Sequence, residues 1–112
     1  MRSPRRKLAV CLALVALLSG IGAAVALART KNVGMGDNYF FAGSVKIKKG
    51  SAVHWRWSGL ENRHNVVSKK GDRFSSKTGR SGNFTHVFNK RGTFTIICTK
   101  HPSVMRMTVK VV

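Results

Sequence analysis

The most decisive stretch of this sequence is Gly92-Thr93-Phe94-Thr95-Ile96-Ile97-Cys98-Thr99-Lys100-His101-Pro102-Ser103-Val104-Met105. Side chains two residues apart point to the same face of a strand, so Phe94, Ile96 and Cys98 share one face. A short polar loop with a proline follows, and Met105 then begins a second alternating run. The stretch therefore predicts two neighbouring strands joined by a loop that carries sulfur and imidazole groups.

The rest of the sequence after residue 28 shows the same pattern of short alternating runs and turns, without helical periodicity. A polar, glycine-containing stretch at residues 75–83 predicts a long loop. Several short strands with frequent turns predict an all-β fold, and specifically a small antiparallel sandwich. The predicted strands lie around residues 45–48, 53–57, 64–67, 84–88, 92–98 and 105–111.

Residues 1–28 predict an export signal in front of a single domain at residues 29–112. Four basic residues at the start precede an apolar run from Leu8 to Ala28. Small residues near the end of the run would allow a signal peptidase to cleave the chain before Arg29 or two residues earlier. An uncleaved membrane anchor is the alternative, because the apolar run is long enough to span a bilayer. Either outcome predicts an exported protein of the periplasm or cell envelope.

Beyond residue 28 the only cysteine is Cys98, which excludes a disulfide within the domain. A lone thiol in an oxidising compartment needs protection by burial, by an intermolecular disulfide or by a metal. Two histidines, one cysteine and a methionine form the ligand set of a trigonal copper site with a weak axial sulfur. Cys98, His101 and Met105 lie within eight residues, and His64 would join them from another strand.

Each of these residues also has an ordinary structural explanation. Cys98 could be a buried structural thiol, His101 an exposed loop residue and Met105 a core residue. Met107 is an alternative to Met105 as the sulfur ligand, because both side chains are predicted to point to the inner face of the strand. Met105 is favoured because it keeps the loop short. The two other histidines of the chain are not expected to be ligands: His54 is predicted to face solvent, and His86 to be partly buried and hydrogen-bonded.

The charge of the chain is extreme, with 21 Lys and Arg against 3 Asp and Glu. Seventeen of the basic residues follow residue 28 and are spread along the domain. Such charge favours acidic partners, anionic membranes or anionic cell-wall polymers. A nucleic-acid partner is not expected, because the basic residues do not interleave with aromatic ones and the chain is predicted to be exported. We expect a monomer.

Residues 31–112 resemble the cupredoxins, the small type 1 blue copper proteins, in particular the plastocyanin, amicyanin and pseudoazurin group. The resemblance rests on His64-Asn65-Val66, on the run from Gly92 to Pro102 and on the closing strand from Met105 to Val111. It implies a Greek-key β-sandwich that binds one copper ion through His64, Cys98, His101 and Met105. It also implies that Asn65 hydrogen-bonds to Thr99 across the site, although Asn65 could simply cap a strand.

The resemblance further implies that the protein carries single electrons by cycling Cu(II)/Cu(I), and that electrons enter and leave through His101. Four protein ligands leave no open position for a substrate, so no enzymatic activity is expected. The expected partner is an acidic or membrane-associated redox protein. A copper-storage or delivery protein with the same ligands is the alternative, and a basic binding module on a β-sandwich is a third hypothesis.

Overall fold

The computed structural model describes residues 29–112, which form two β-sheets packed face to face. Within this part of the chain there are nine strands and no helix. The strands are β1 (Thr30–Gly36), β2 (Tyr39–Phe40), β3 (Ser44–Ile47), β4 (Ala52–Trp57), β5 (Val67–Ser68), β6 (Phe74–Ser75), β7 (Gly82–Val87), β8 (Gly92–Ile97) and β9 (Arg106–Val111).

One sheet has the order β2-β1-β4-β7 and the other the order β3-β9-β8-β5-β6. Most pairs are antiparallel, but β1 pairs with β4 and β3 pairs with β9 in parallel. The prediction of an all-β sandwich is confirmed, whereas the expectation of a purely antiparallel one is wrong. Alternation along a strand reports which side chains are buried and carries no information on the direction of the neighbouring strand.

The core lies between the sheets and follows the predicted parity closely. Phe94 and Ile96 of β8 are buried, as are Met107, Val109 and Val111 of β9. Trp55 and Trp57 of β4 face them from the other sheet. The Trp55 Nε1–H points at the Met107 Sδ at 3.4 Å, so this contact bridges the two sheets through the core.

Strand β1 was not predicted, because its sequence TKNVGMG contains two glycines and an asparagine, which are poor strand residues. Its glycines lie under aromatic rings. A Cβ at Gly34 would come within 2.6 Å of the Phe41 ring, and one at Gly36 would collide with the Tyr39 ring. The missing side chains make room for this aromatic pair, so packing decides the strand where propensity does not.

The predicted loop at residues 75–83 is shorter than expected. Ser75 ends β6 and Gly82 begins β7. Between them, Gly79 forms an isolated antiparallel bridge with His64. Within residues 29–112, no helix is long and apolar enough to cross a membrane. The predicted export signal at residues 1–28 lies outside the described residues and stays a prediction.

Candidate metal centre

The loop between β8 and β9 is closed on itself by main-chain hydrogen bonds. The Cys98 N–H donates to the Met105 carbonyl at 3.1 Å, across the base of the loop. The His101 N–H donates to the Cys98 carbonyl at 3.1 Å, and the Met105 N–H donates to the His101 carbonyl at 2.8 Å. These bonds hold the backbone of Cys98, His101 and Met105 in one compact turn, so their side chains start from fixed positions.

His64 approaches this loop from a separate segment between β4 and β5. Its N–H donates to the Gly79 carbonyl at 2.9 Å, and its own carbonyl accepts from the Gly79 N–H at 3.0 Å. The Gly79 carbonyl also accepts from the Trp57 Nε1–H at 2.9 Å. The backbone of this buried histidine is therefore anchored to the core through Trp57.

The ring of His64 is oriented by a carboxylate that the sequence analysis missed. Its Nε2 lies 2.9 Å from the Asp37 Oδ1. A carboxylate accepts hydrogen bonds, so the Nε2 carries a proton, and in the neutral imidazole the Nδ1 then keeps its lone pair. The Nδ1 faces the Cys98 Sγ at 3.8 Å. Both His64 and Cys98 are fully buried. A free imidazole nitrogen thus meets a thiol inside the protein.

Asp37 lies in the turn between β1 and β2, where the next residue, Asn38, has φ of 71°. Its carboxylate accepts from His64 and from the main-chain N–H groups of Asn62 and Glu61, both at 3.0 Å. These three hydrogen bonds, that of His64 first, lower the pKa of Asp37 to about 2. The carboxylate therefore stays ionised at neutral pH. One signal in the sequence could have drawn attention to it, since only three acidic residues occur in the whole chain.

His101 lies beside His64, with ring centroids 5.3 Å apart. The His101 side chain is half-buried, and its Nε2 is the one buried side-chain N or O atom within residues 29–112 that has no hydrogen-bond partner. A buried nitrogen without a partner is costly, and a metal ion is one way to satisfy it. The imidazole thus has an unused electron pair or proton next to the His64 and Cys98 pair.

The two candidate methionines differ in their surroundings. Met105 is fully buried and closes the base of the loop that carries Cys98 and His101. Met107 is also buried, but its sulfur already accepts the hydrogen bond from Trp55 in the middle of the core. Met107 is therefore used as a core residue, and Met105 remains the candidate thioether of the site.

A side-chain bridge ties the two halves of the site together. The Asn65 Oδ1 accepts from the Thr99 N–H at 2.8 Å, and the Asn65 Nδ2 donates to the Thr99 Oγ1 at 2.7 Å. The Nδ2 also donates to the Thr78 Oγ1 at 3.0 Å. The contact implied by the resemblance is thus present. It connects the residue after His64 to the residue after Cys98, and such contacts fix the orientation of ligands.

The remaining histidines lie away from this cluster, as predicted. His54 is on the outer face of β4, half-buried between the side-chain oxygens of Asn32 and Asn83. His86 is partly buried, bonds to the Asp72 Oδ2 at 2.7 Å and stacks on Phe74. The prediction of a hydrogen-bonded, partly buried His86 is confirmed.

The donor set fits a soft or intermediate metal ion such as copper, and not a hard one. A thiol, two imidazoles and a thioether are soft or intermediate ligands, which suit copper, whereas Mg²⁺ and Ca²⁺ require oxygen. Between Arg29 and Val112, no three His, Cys, Asp or Glu side chains already form a group close enough to hold an ion together. His64 is in contact with Cys98, and the His101 ring lies beside that of His64.

Several solved structures share this fold. Amicyanin from Paracoccus versutus is 28% identical, with a TM-score of 0.57, and the match covers 74% of this chain and 81% of amicyanin. A purple cupredoxin from Nitrosopumilus maritimus is 21% identical, with a TM-score of 0.61 and coverage of 73% and 99%. At that identity the likeness concerns the fold alone.

A copper-containing nitrite reductase from Thermus scotoductus SA-01 is 24% identical, with a TM-score of 0.61. The match covers 74% of this chain but only 22% of the reductase, so the same fold also occurs as part of a larger enzyme. No curated protein sequence matches this chain.

The family model of copper binding proteins of the plastocyanin/azurin family matches residues 28–112, which include the whole predicted domain. The expectations of a cupredoxin fold and of copper as the cofactor are confirmed at the level of this family. The chain belongs to the plastocyanin/azurin family of copper binding proteins.

Proposed function

We propose that this protein carries single electrons on one copper ion held by His64, Cys98, His101 and Met105. The observation that carries the proposal is the contact between the Nδ1 of His64 and the Cys98 thiol, 3.8 Å apart in a fully buried place. The bound copper would supply a one-electron Cu(II)/Cu(I) couple. The thiol of Cys98 would give up its proton to become the thiolate that a metal requires.

The residues around the site support electron transfer because they resist movement. The closed loop, the Gly79 bridge and the Asn65–Thr99 contact hold the ligand segments in place. A site that keeps its shape when the ion changes oxidation state needs little rearrangement. Four protein ligands would leave no open position for a substrate, which favours a carrier over an enzyme.

Electrons would enter and leave at the half-exposed His101. Its neighbours Lys100 and Val104 are exposed, the latter by 68%, and together they offer a basic and apolar surface next to the ligand. Such a surface suits an acidic redox protein, because opposite charges accelerate encounter. We place this exchange outside the cytoplasm, in the cell envelope, on the strength of the export signal predicted at residues 1–28.

Copper storage or delivery is less well supported by the geometry. A delivery protein needs ligands that a partner can reach, yet His64, Cys98 and Met105 are all fully buried. Only His101 is within reach of solvent. An ion held in this way would exchange slowly, which suits a permanent cofactor.

Addition of Cu(II) to the protein tests the proposal directly. We expect an intense blue absorption band from the thiolate–copper bond, which ascorbate bleaches and a mild oxidant restores. A colourless or pale complex would refute the electron-carrier function. A band that forms but is lost to a copper chelator within minutes would favour delivery instead.

Asp37 should act as a positioning residue for His64. Asp37→Asn keeps an oxygen that can accept from the His64 Nε2–H but removes the negative charge, whereas Asp37→Ala removes both. We expect copper affinity to fall about tenfold in the first variant and up to about 100-fold in the second, the range for partners of metal ligands. Imidazole ¹⁵N shifts of the metal-free protein should show His64 protonated on Nε2, and in Asp37→Ala should show a mixture of tautomers.

Asp72→Asn is the matched control, because Asp72 also bonds through a carboxylate oxygen to the Nε2 of a histidine, His86, which is not a candidate ligand. It should leave copper affinity and the His64 shifts unchanged. Equal losses in Asp72→Asn and Asp37→Asn would mean that general destabilisation, and not the orientation of His64, explains the effect.

A further inference from the structure

The two ends of the sandwich have different characters. The candidate copper site occupies one end, where β1 runs into Asp37 and β8 runs into Cys98. The opposite end is where β1 begins and where β3, β7 and β9 finish. Main-chain bonds close it: the Ala52 N–H donates to the Arg29 carbonyl at 2.8 Å, and the Lys49 N–H to the Val112 carbonyl at 2.8 Å. The seven residues of β1 separate the ends by about 23 Å.

This opposite end, which we call the basic end, concentrates positive charge. One groove of this end is lined by Ser51, in the turn at residues 48–51, and by four exposed cations: Arg29, Lys31, Lys46 and Lys48. On neighbouring strands, Lys46 lies directly opposite Lys110. The further exposed cations of this end are Lys49, Lys90 and Arg91.

No Asp or Glu side chain of the described residues forms an ion pair with these lysines and arginines. Both ion pairs found within residues 29–112 are made by histidines, His64 with Asp37 and His86 with Asp72. The main-chain N–H of the third acidic residue, Glu61, donates to Asp37. Glu61 therefore lies at the end that carries the candidate copper site. Like charges on facing strand positions, as in Lys46 and Lys110, destabilise a sheet. The basic end therefore carries an electrostatic cost that an external anion would relieve.

Apolar side chains accompany the cations. Val87, at the end of β7, is 48% exposed, and Val112 is 41% exposed beside the 48–51 turn. A surface of cations with interspersed apolar groups fits the headgroup region of a lipid bilayer better than a soluble polyanion. In the sequence, the apolar run of residues 8–28 also joins the domain at Arg29, within this end.

We infer that the basic end binds the surface of an anionic phospholipid membrane and turns the copper site away from it. The lysine and arginine side chains would meet lipid phosphates, and Val87 and Val112 would meet the upper part of the acyl chains. This inference does not depend on copper, so it can fail while the proposed function holds, and the reverse is also true.

Vesicle partitioning of the full chain tests this inference. The readout is the ratio of binding to vesicles containing phosphatidylglycerol over binding to pure phosphatidylcholine. The apolar residues 8–28 are common to all variants, so this ratio isolates the contribution of charge. The basic-end variant reverses Lys48, Lys49, Lys90 and Arg91 to Glu. The matched control reverses four exposed cations toward the candidate copper site, Arg56, Arg63, Lys77 and Arg80, with the same change in net charge.

We expect the unmodified protein to prefer anionic vesicles and the basic-end variant to lose on the order of 100-fold or more in that ratio. The control variant should lose far less, because charges beyond a Debye length of about 8 Å are screened at physiological salt. Equal losses in both variants would overturn the inference, since net charge alone would then explain binding. So would retention on anionic cell-wall polymer without any preference for anionic vesicles. Near-ultraviolet circular dichroism checks that each variant is folded.

Discussion

Cys98→Ser should abolish the blue absorption of the copper-loaded protein. The band arises from the thiolate, and a serine oxygen is a harder ligand that does not replace it. The fold should survive, because the main-chain bond from residue 98 to the Met105 carbonyl does not involve the side chain. The shorter C–O bond would leave the buried hydroxyl out of hydrogen-bond reach of the His64 Nδ1, which lies 3.8 Å from the sulfur, so we expect a loss of stability of about 1–3 kcal/mol.

Absorption and electron paramagnetic resonance spectra, with and without Cu(II), measure this result. Ser103→Ala is a suitable control in the same loop, because Ser103 is exposed. It should retain the band in full. A blue band that persists in Cys98→Ser would show that the thiol of Cys98 is not a ligand and would overturn the assignment of the site.

The second large effect is that substitutions of Met105 and of Met107 should change different properties of the protein. Met105→Leu should shift the reduction potential and the blue spectrum, because it removes the proposed axial sulfur. Its effect on stability should be small, since leucine and methionine have similar volumes and such exchanges usually cost less than about 1.5 kcal/mol. Cyclic voltammetry and absorption spectra measure the first effect, and denaturant unfolding of the metal-free protein measures the second.

Met107→Leu should lower the free energy of unfolding and leave the copper spectrum and potential nearly unchanged. It leaves the buried Trp55 N–H without its acceptor, which costs about 1–3 kcal/mol in the free energy of unfolding. The copper spectrum and potential should change little, because the sulfur of Met107 points at Trp55 in the core. A larger spectral change in Met107→Leu than in Met105→Leu would reassign the axial ligand to Met107.

The sequence predicted the sandwich and the burial of its strands well, because apolar and polar side chains alternate along a strand that has one buried face. Phe94, Ile96 and Cys98 follow that rule. The parallel pairing of β1 with β4 was not predictable, since strand direction depends on the path of connections through space. Strand β1 was missed because its glycines are required by rings that lie three to seven residues further along the chain.

The proximity of His64 to Cys98 and to His101 was foreseeable from motif spacing and from resemblance to the cupredoxins. Asp37 was not foreseeable, because it reaches His64 across 27 residues and belongs to no motif. Its role depends on a turn with a left-handed Asn38, which exposes the carboxylate to His64 and to two main-chain N–H groups. The identities of the ligands remain predictions, and the Cys98 and Met105 variants address them.

The bridge between Asn65 and Thr99 has a kinetic consequence. It joins residues 34 positions apart in the sequence, and its partners meet only when β5 has docked beside β8. Contacts of such separation form late in folding, because closing the intervening chain costs entropy before any contact repays it. An ion seated beside this bridge would therefore leave the folding rate nearly unchanged and slow unfolding instead. Copper would lengthen the lifetime of the native protein.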